Sequence, residues 1–459
     1  MPLLRRRAPI SLNARDLAPI ARQLRRINNA VSRAYPGEPE DRQPVHTVYG
    51  GAHLFRSDSA QKLGALALAA LNAYAPDART LHEALQFDAG GIDPLAFAET
   101  VRSRVIEKLR REPVEDFRID FEDGYGNRPD AEEDGHAQSA AEQVAAGAAA
   151  GTLPPFIGIR IKTLSAELSA RSLRTLDLFV TTLARARTKR LPANFVVTVP
   201  KIMMAGQVTA VARTCAALEK RLTLRPGTIR LELMIETPQS IIDAHGSSAL
   251  RSLVAAGEGR VSGAHFGTYD YTALCGITAA WQHMRHDACD FAKHMMQVAL
   301  AQSGVKLSDG ATNIMPVAPH RAASGSVLTG AQTAENRDAV HRAWKIHFDD
   351  ARHSLVNGFY QGWDLHPAQL PTRYAAVYAF FLSARPAATA RLRNFVEKAA
   401  QATLVGDVFD DAATGQGLLN FFARGLSSGA LTMDEARETG LTPNELHGRS
   451  FLAILKNSR

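Results

Sequence analysis

Three carboxylates crowd one short run, Asp120-Phe121-Glu122-Asp123-Gly124-Tyr125-Gly126. Acids this close repel one another and are tolerated where a cation stands nearby. Two more acids follow, Glu236 in Met234-Ile235-Glu236-Thr237-Pro238 and Asp270 in His265-Phe266-Gly267-Thr268-Tyr269-Asp270-Tyr271. One carboxylate from each of two neighbouring strands, completed by water and substrate oxygens, is a common way to hold Mg2+ or Mn2+. Arg160, in Ile159-Arg160-Ile161-Lys162, offers a planar fork for a carboxylate. Lys201, after Pro200, suits either an anionic substrate or an ion pair with the acids of residues 120–123. Gly267, followed by Thr268, would let a ligand approach the backbone closely. Hard oxygen ligands beside fixed cations suit metal-assisted chemistry on a small anionic carboxylate.

These groups need strands to hold them, and the chain supplies a regular rhythm. Mostly apolar runs at Val45–Tyr49, Phe117–Phe121, Phe156–Ile161, Phe195–Val199, Ile229–Ile235, Gly263–Phe266, Thr312–Val317 and Gly358–Asp364 read as strands. Ala- and Leu-rich stretches lie between them, for example Ser165–Arg185, Gly206–Arg221 and Ile241–Ala255. Eight alternating units predict a closed (β/α)8 TIM barrel rather than an open sheet. Barrel enzymes carry their active residues at the C-terminal strand ends, where the polar groups above fall.

Two insertions interrupt the rhythm. An acidic run, Asp130–Asp134, leads into an Ala-rich helix, and Thr272–Gly304 reads as mostly helical. Three parts follow from this reading: an N-terminal helical arm and linker (1–41), the barrel (42–372) and a helical C-terminal appendage (373–459) with no clear strand. In the arm, Leu17, Ile20, Leu24, Ile27 and Val31 form an apolar stripe, expected to dock on the body or on a neighbouring subunit.

Composition narrows the function classes. Of 459 residues, 46% are hydrophobic and 22% charged, an ordinary globular balance. The formal charge of +7 comes from Arg scattered along the chain, which suits an anionic substrate and argues against nucleic acid. No apolar stretch is long enough to span a membrane. Three cysteines, Cys215, Cys275 and Cys289, include no CxxC pair, so a disulfide framework is not expected and a reducing cytoplasm is. His283, His286, Cys289 and His294 crowd one stretch, but its ends lie roughly 16 Å apart on a helix, too far to share an ion. The fragments Gly124–Gly126 and Gly415–Gly417 lack a dinucleotide context. Gly425–Gly429 spells a nucleophile elbow with no strand before it.

The ordered set DFEDGYG (120–126), IRIK (159–162), VPK (199–201), MIET (234–237), FGTYDY (266–271) and GWDLHPAQ (362–369) resembles the superfamily of the citrate lyase β subunit, malyl-CoA lyase, malate synthase and the HpcH/HpaI aldolases. The resemblance covers roughly residues 45–375 and implies a (β/α)8 barrel. It further implies that Glu236 and Asp270 bind Mg2+ and that Arg160 grips carboxylate and enolate oxygens. Asp120, Glu122 and Asp123 would orient metal-bound water, with Glu122 and Asp123 as candidate general bases. His53 is only a positional match to the His that simple pyruvate aldolases carry after strand one. His366, Pro367 and Gln369 would close the barrel. The expected activity is a metal-dependent carbon–carbon lyase or aldolase acting through an enolate of a small oxo- or hydroxy-acid. A CoA-thioester lyase or synthase and a non-catalytic ligand-binding barrel stand as alternatives. A homo-oligomer is expected.

Overall fold

The computed structural model describes residues 11–39, 41–187, 190–323, 325–397, 403–405, 408–410, 412–447 and 454. Eight parallel strands run in the order β7-β6-β5-β4-β3-β2-β1-β8. They are β1 (His46–Gly51), β2 (Asp116–Asp120), β3 (Phe156–Arg160), β4 (Phe195–Val199), β5 (Arg230–Ile235), β6 (Val261–Phe266), β7 (Lys306–Ser308) and β8 (Gly362–Asp364). The last gap is closed by Asp309 N–H donating to the Gln361 carbonyl (2.8 Å) and Trp363 N–H to the Gly310 carbonyl (3.0 Å). The expected (β/α)8 barrel is therefore observed, with helices packed around it.

Strand alternation sorts the side chains into two cores. Phe117, Ile119 and Phe121 of β2 and Ile157 and Ile159 of β3 are buried in the large apolar core. The opposite face of the same strands fills the barrel with polar groups. Arg118 donates to Asp116, to Thr198 Oγ1 (3.0 Å) and to Glu232 (3.2 Å), all buried. His265 stands 3.8 Å from Glu232 and is fully buried. Branched aliphatics dominate most barrel interiors, so this one is held by charge pairs, each member of which is costly to remove alone.

Three local expectations are corrected. Strand seven is Lys306–Ser308, not Thr312–Val317. The latter run contains Pro316, which cannot donate to a ladder, and leaves Ile314 and Val317 exposed. The expected helix Ile241–Ala255 is two short helices, Pro238–Ile241 and Leu250–Ala256. Between them Asp243 accepts the His245 and Ser247 N–H groups (2.9 Å each), a side-chain turn that outcompetes the helix. The C-terminal part, expected to lack strands, holds an antiparallel ribbon, Thr403–Val405 with Val408–Asp410. The arm forms helix α1 (Ala14–Ala34), as expected, and within this chain no residue of α1 is buried.

Both expected insertions are helical, as Asp130–Ala150 and as Thr268–Leu274 with Asp287–Leu300. The helix Leu370–Glu397 begins directly after the short turn Pro367–Gln369 that follows β8. Its Arg373 pairs with the buried Asp364 of β8 (2.8 Å), which also bonds His347 Nε2 (2.9 Å) and lies 3.0 Å from His46 Nδ1. No helix among the described residues is long and apolar enough to cross a membrane. Cys215 and Cys289 are buried, Cys275 is exposed, and none is bridged.

Candidate active site

The C-terminal ends of β2 to β6 bring the singled-out residues together. Arg160, the last residue of β3, points into the barrel and is 2% exposed. Its Nε and Nη2 grip both oxygens of Asp120 at 2.7 and 2.6 Å, because β2 and β3 pair with Asp120 beside Arg160. The third nitrogen, Nη1, faces Glu122 at 3.1 Å and Asp123 at 3.8 Å. The guanidinium lies 4.9 Å from the Tyr49 ring and 5.5 Å from the Trp363 ring. Two aromatic faces and a bidentate acid thus fix its orientation.

Asp120 is itself held by the turn after β2, accepting from the Glu122 N–H (3.0 Å) and the Gly124 N–H (2.7 Å). That turn presents Glu122, nearly buried, and Asp123, more exposed. Burial lifts the Glu122 carboxyl above its usual range, against the pull of Arg160. Asp123 lies below its usual range: burial opposes this, but contact with Glu122 and the charges of Arg160 and Lys201 outweigh it.

Lys201 is the second cation. Its Nζ contacts Glu122, both oxygens of Asp123 (3.1 and 3.0 Å) and Asp270 (3.6 Å). Of the two roles its sequence position allowed, the structure shows the ion pair with strand-two acids. Its backbone sits at φ +50°, a left-handed conformation costing roughly 1–3 kcal/mol in a residue other than Gly. In that conformation the Lys201 N–H donates to Glu236 Oε1 at 2.6 Å.

Glu236 follows β5 and is 2% exposed. A Cβ on residue 267 would stand 2.6 Å from its Oε2, so Gly267 makes room for the carboxylate. Burial first, then the charge of Asp270, push Glu236 up to about 8, against Arg160 and Lys201. Asp270 stands in the first turn of helix Thr268–Leu274 and is partly exposed. Thr268 is buried, its hydroxyl lying where a Cβ on Gly310 would stand.

The donor set can be tested against a divalent cation. Asp120, Glu122, Asp123, Glu236 and Asp270 oppose only Arg160 and Lys201, a surplus of negative charge at the barrel mouth. All its acids offer hard oxygens, as Mg2+ prefers, and Glu236 is held in a state that a cation would relieve. Among the described residues no three His, Cys, Asp or Glu side chains form a ready cage. Mg2+ is often bound by only one or two carboxylates, with water and substrate completing its shell. The residues fit the group.

The raised Glu236 carries a pH signature. Its folded-state value lies above the ordinary 4.5, so its stabilising contribution is full below about pH 4.5 and lost as pH rises through about 8. The metal-free protein is expected to lose thermal stability from pH 6 to pH 9 relative to Glu236→Gln, measured by differential scanning calorimetry. Equal profiles for the two proteins would refute the assignment.

Several residues lie outside this constellation. Lys162, though on the Arg160 face of β3, bonds the Phe121 (2.8 Å) and Gly126 (3.0 Å) carbonyls behind the turn. His366 caps the turn after β8, and Gln369 Nε2 reaches the Thr312 carbonyl at 3.0 Å. His53 neighbours Tyr125 and His136 beside the β1 loop. Tyr49 and Trp363 were not singled out from the sequence. Their only signal there is an aromatic at an inward-facing position of β1 and of β8.

Several solved structures align with this chain. A citrate lyase from Burkholderia xenovorans LB400 aligns at TM-score 0.53 and 18% identity, covering 75% of this chain and 93% of that one. The CitE protein of Mycobacterium tuberculosis, in complex with magnesium, acetoacetate and coenzyme A, aligns at 0.46 and 15%, covering 85% and 100%. A Haloferax volcanii malate synthase, in a magnesium and glyoxylate complex, aligns at 0.45 and 11%, covering 92% and 98%. At 18% identity and a TM-score of 0.53, the first of these is a likeness of fold alone. No curated protein sequence matches the chain. A family profile described as a domain of unknown function (DUF6986) matches residues 24–454, and the chain belongs to that family.

Proposed function

We propose that this chain is a Mg2+-dependent carbon–carbon lyase or aldolase, with Mn2+ as the alternative ion, acting on a small oxo- or hydroxy-acid. The observation that carries the reading is Glu236, buried beside Asp270 and pushed up to about 8 at a barrel mouth with a surplus of acids. Glu236 and Asp270 would hold the ion. When bound, it supplies the Lewis-acid charge that lowers the cost of an enolate.

The chain's own residues do the rest. Arg160 presents Nη1 to a substrate carboxylate or enolate oxygen while Asp120 and the two aromatic rings keep its plane still. A donor held in advance is worth more than one that must reorganise. Lys201 neutralises Glu122 and Asp123 and is the cation best placed to meet an incoming carboxylate. Glu122, whose carboxyl burial lifts above its usual range, is the first candidate to take the substrate proton, with Asp123 as the second. In cleavage this base takes the hydroxyl proton, the carbon–carbon bond breaks, and its electron pair stays on the enolate. Gly267 leaves room for the Glu236 carboxylate that would hold the ion, and Thr268 begins the adjoining helix. The division into arm (1–41), barrel (42–372) and appendage (373–459) belongs to the same proposal.

Isothermal calorimetry tests the reading. Wild-type protein is expected to bind Mg2+ or Mn2+, about tenfold more tightly with pyruvate or oxaloacetate present, a coupling near 1.4 kcal/mol. Binding of neither metal nor acid would overturn it.

A further inference from the structure

Helix α1 carries five apolar residues that the chain leaves uncovered. Leu17, Ile20, Leu24, Ile27 and Val31 are each between 45% and 51% exposed. A helix of this length draws most of its stability from packing its apolar face, and α1 also contains Pro19, which removes one helical bond. Its N-terminus is capped by Asn13, which accepts from Arg15 and Asp16, yet a cap does not replace a packed face.

The spacing says what covers it. Steps of three, four, three and four place Leu17, Leu24 and Val31 at the a positions and Ile20 and Ile27 at the d positions of a heptad. This is the narrow seam of a coiled coil rather than the broad face of a helix packed on a globular body. The charge pattern points to an identical partner. The positions flanking the seam beyond Leu17 are Ala21, Gln23, Asn28 and Ala30, all uncharged. Arg15, Arg22, Arg25, Arg26 and Arg33 all fall at b, c or f, on the outer side. Two copies of a strongly basic helix would repel if those arginines lay beside the seam; here none does.

The anchoring of α1 leaves room for the assembly. The Tyr35 ring lies 4.5 Å from the Arg251 guanidinium, and Gly37 N–H donates to the Gln302 carbonyl (3.1 Å). Gln302 precedes β7, so α1 leaves from the N-terminal face of the barrel, opposite the candidate active site.

We infer that α1 is a self-association element that pairs with α1 of further copies of this chain through the 17-20-24-27-31 seam. Leu at a with Ile at d favours more than two strands, and four is the expected number. Sedimentation equilibrium of the full chain is the test. Wild type is expected at four times the 49.7 kDa chain mass. Leu24→Asp combined with Ile27→Asp is expected to sediment as a monomer, with the unfolding transition of the body retained. Arg22→Gln combined with Arg26→Gln, on the outer side, is expected to keep the wild-type mass. A seam-dependent dimer would support the surface and overturn the four-strand count. A monomeric wild type, an oligomer that survives the seam substitutions, or a monomer that floats with phosphatidylserine vesicles would each overturn the inference.

Discussion

Replacing Glu236 with Gln is expected to weaken Mg2+ binding about 100-fold or more while making the metal-free protein more heat-resistant above pH 8. The two effects have one cause. Glu236 is buried and feels the negative charge of Asp270, so its charged form is disfavoured until a cation arrives. Gln keeps the volume and still accepts the Lys201 N–H that now bonds Oε1 at 2.6 Å. It removes the charge that repels Asp270, which stabilises the empty fold, and it removes one of the two proposed ligands. Outer partners of metal ligands alone typically cost ~10–100-fold in affinity, so loss of a ligand belongs at or beyond the top of that range. Calorimetric titration and thermal denaturation on the same sample would read both effects. A variant that binds metal as wild type does would remove Glu236 from the site; one that is less stable above pH 8 would contradict the burial argument.

Arg160→Lys is expected to lower oxo-acid binding in the presence of Mg2+, and any turnover found with it, by about 100- to 1000-fold, the cost typical of removing one preorganised donor. Charge is retained, so a simple electrostatic role would survive the change. What is lost is shape. The guanidinium serves Asp120 with two nitrogens and the mouth with a third, lying near Tyr49 and Trp363. An ammonium is a point donor and cannot do all of this at once. Arg160→Ala is a different experiment, because it strands Asp120 buried and unpaired, which costs roughly 3–5 kcal/mol of stability. Comparing pyruvate titrations of wild type and Arg160→Lys, with circular dichroism to establish the fold, separates function from folding. Unchanged affinity in the Lys variant would sink the role assigned to the planar fork.

Much of this site was legible in the chain because each part of it is local. The alternation of short apolar runs with Ala-rich stretches reports strand and helix through side-chain period, and seven of the eight strands fall where those runs lie. A polar group that directly follows such a run must emerge at a strand end, and this placed Asp120, Glu122, Arg160, Lys201, Glu236 and Asp270 at one mouth. The apolar stripe of α1 was equally visible, since it depends only on spacing along one helix.

What only the tertiary structure decided was partnership across strands. That Arg160 spends two of its nitrogens on Asp120 follows from the β2–β3 register, which no local pattern encodes. That Lys201 reaches Glu122, Asp123 and Asp270 while its backbone serves Glu236 needs the closed barrel and a left-handed φ at that residue. Strand seven was misplaced because three residues, Lys306-Leu307-Ser308, carry too little period to be heard beside a longer apolar run nearby. The charged barrel interior was hidden for the same reason. Asp116, Arg118, Glu232 and His265 look solvated in sequence, and only closure turns them inward, where Arg118 meets Asp116 of its own strand and Glu232 of β5. Periodicity fixes which face a residue occupies; which group it meets there is set by register and closure, and those are properties of the whole barrel.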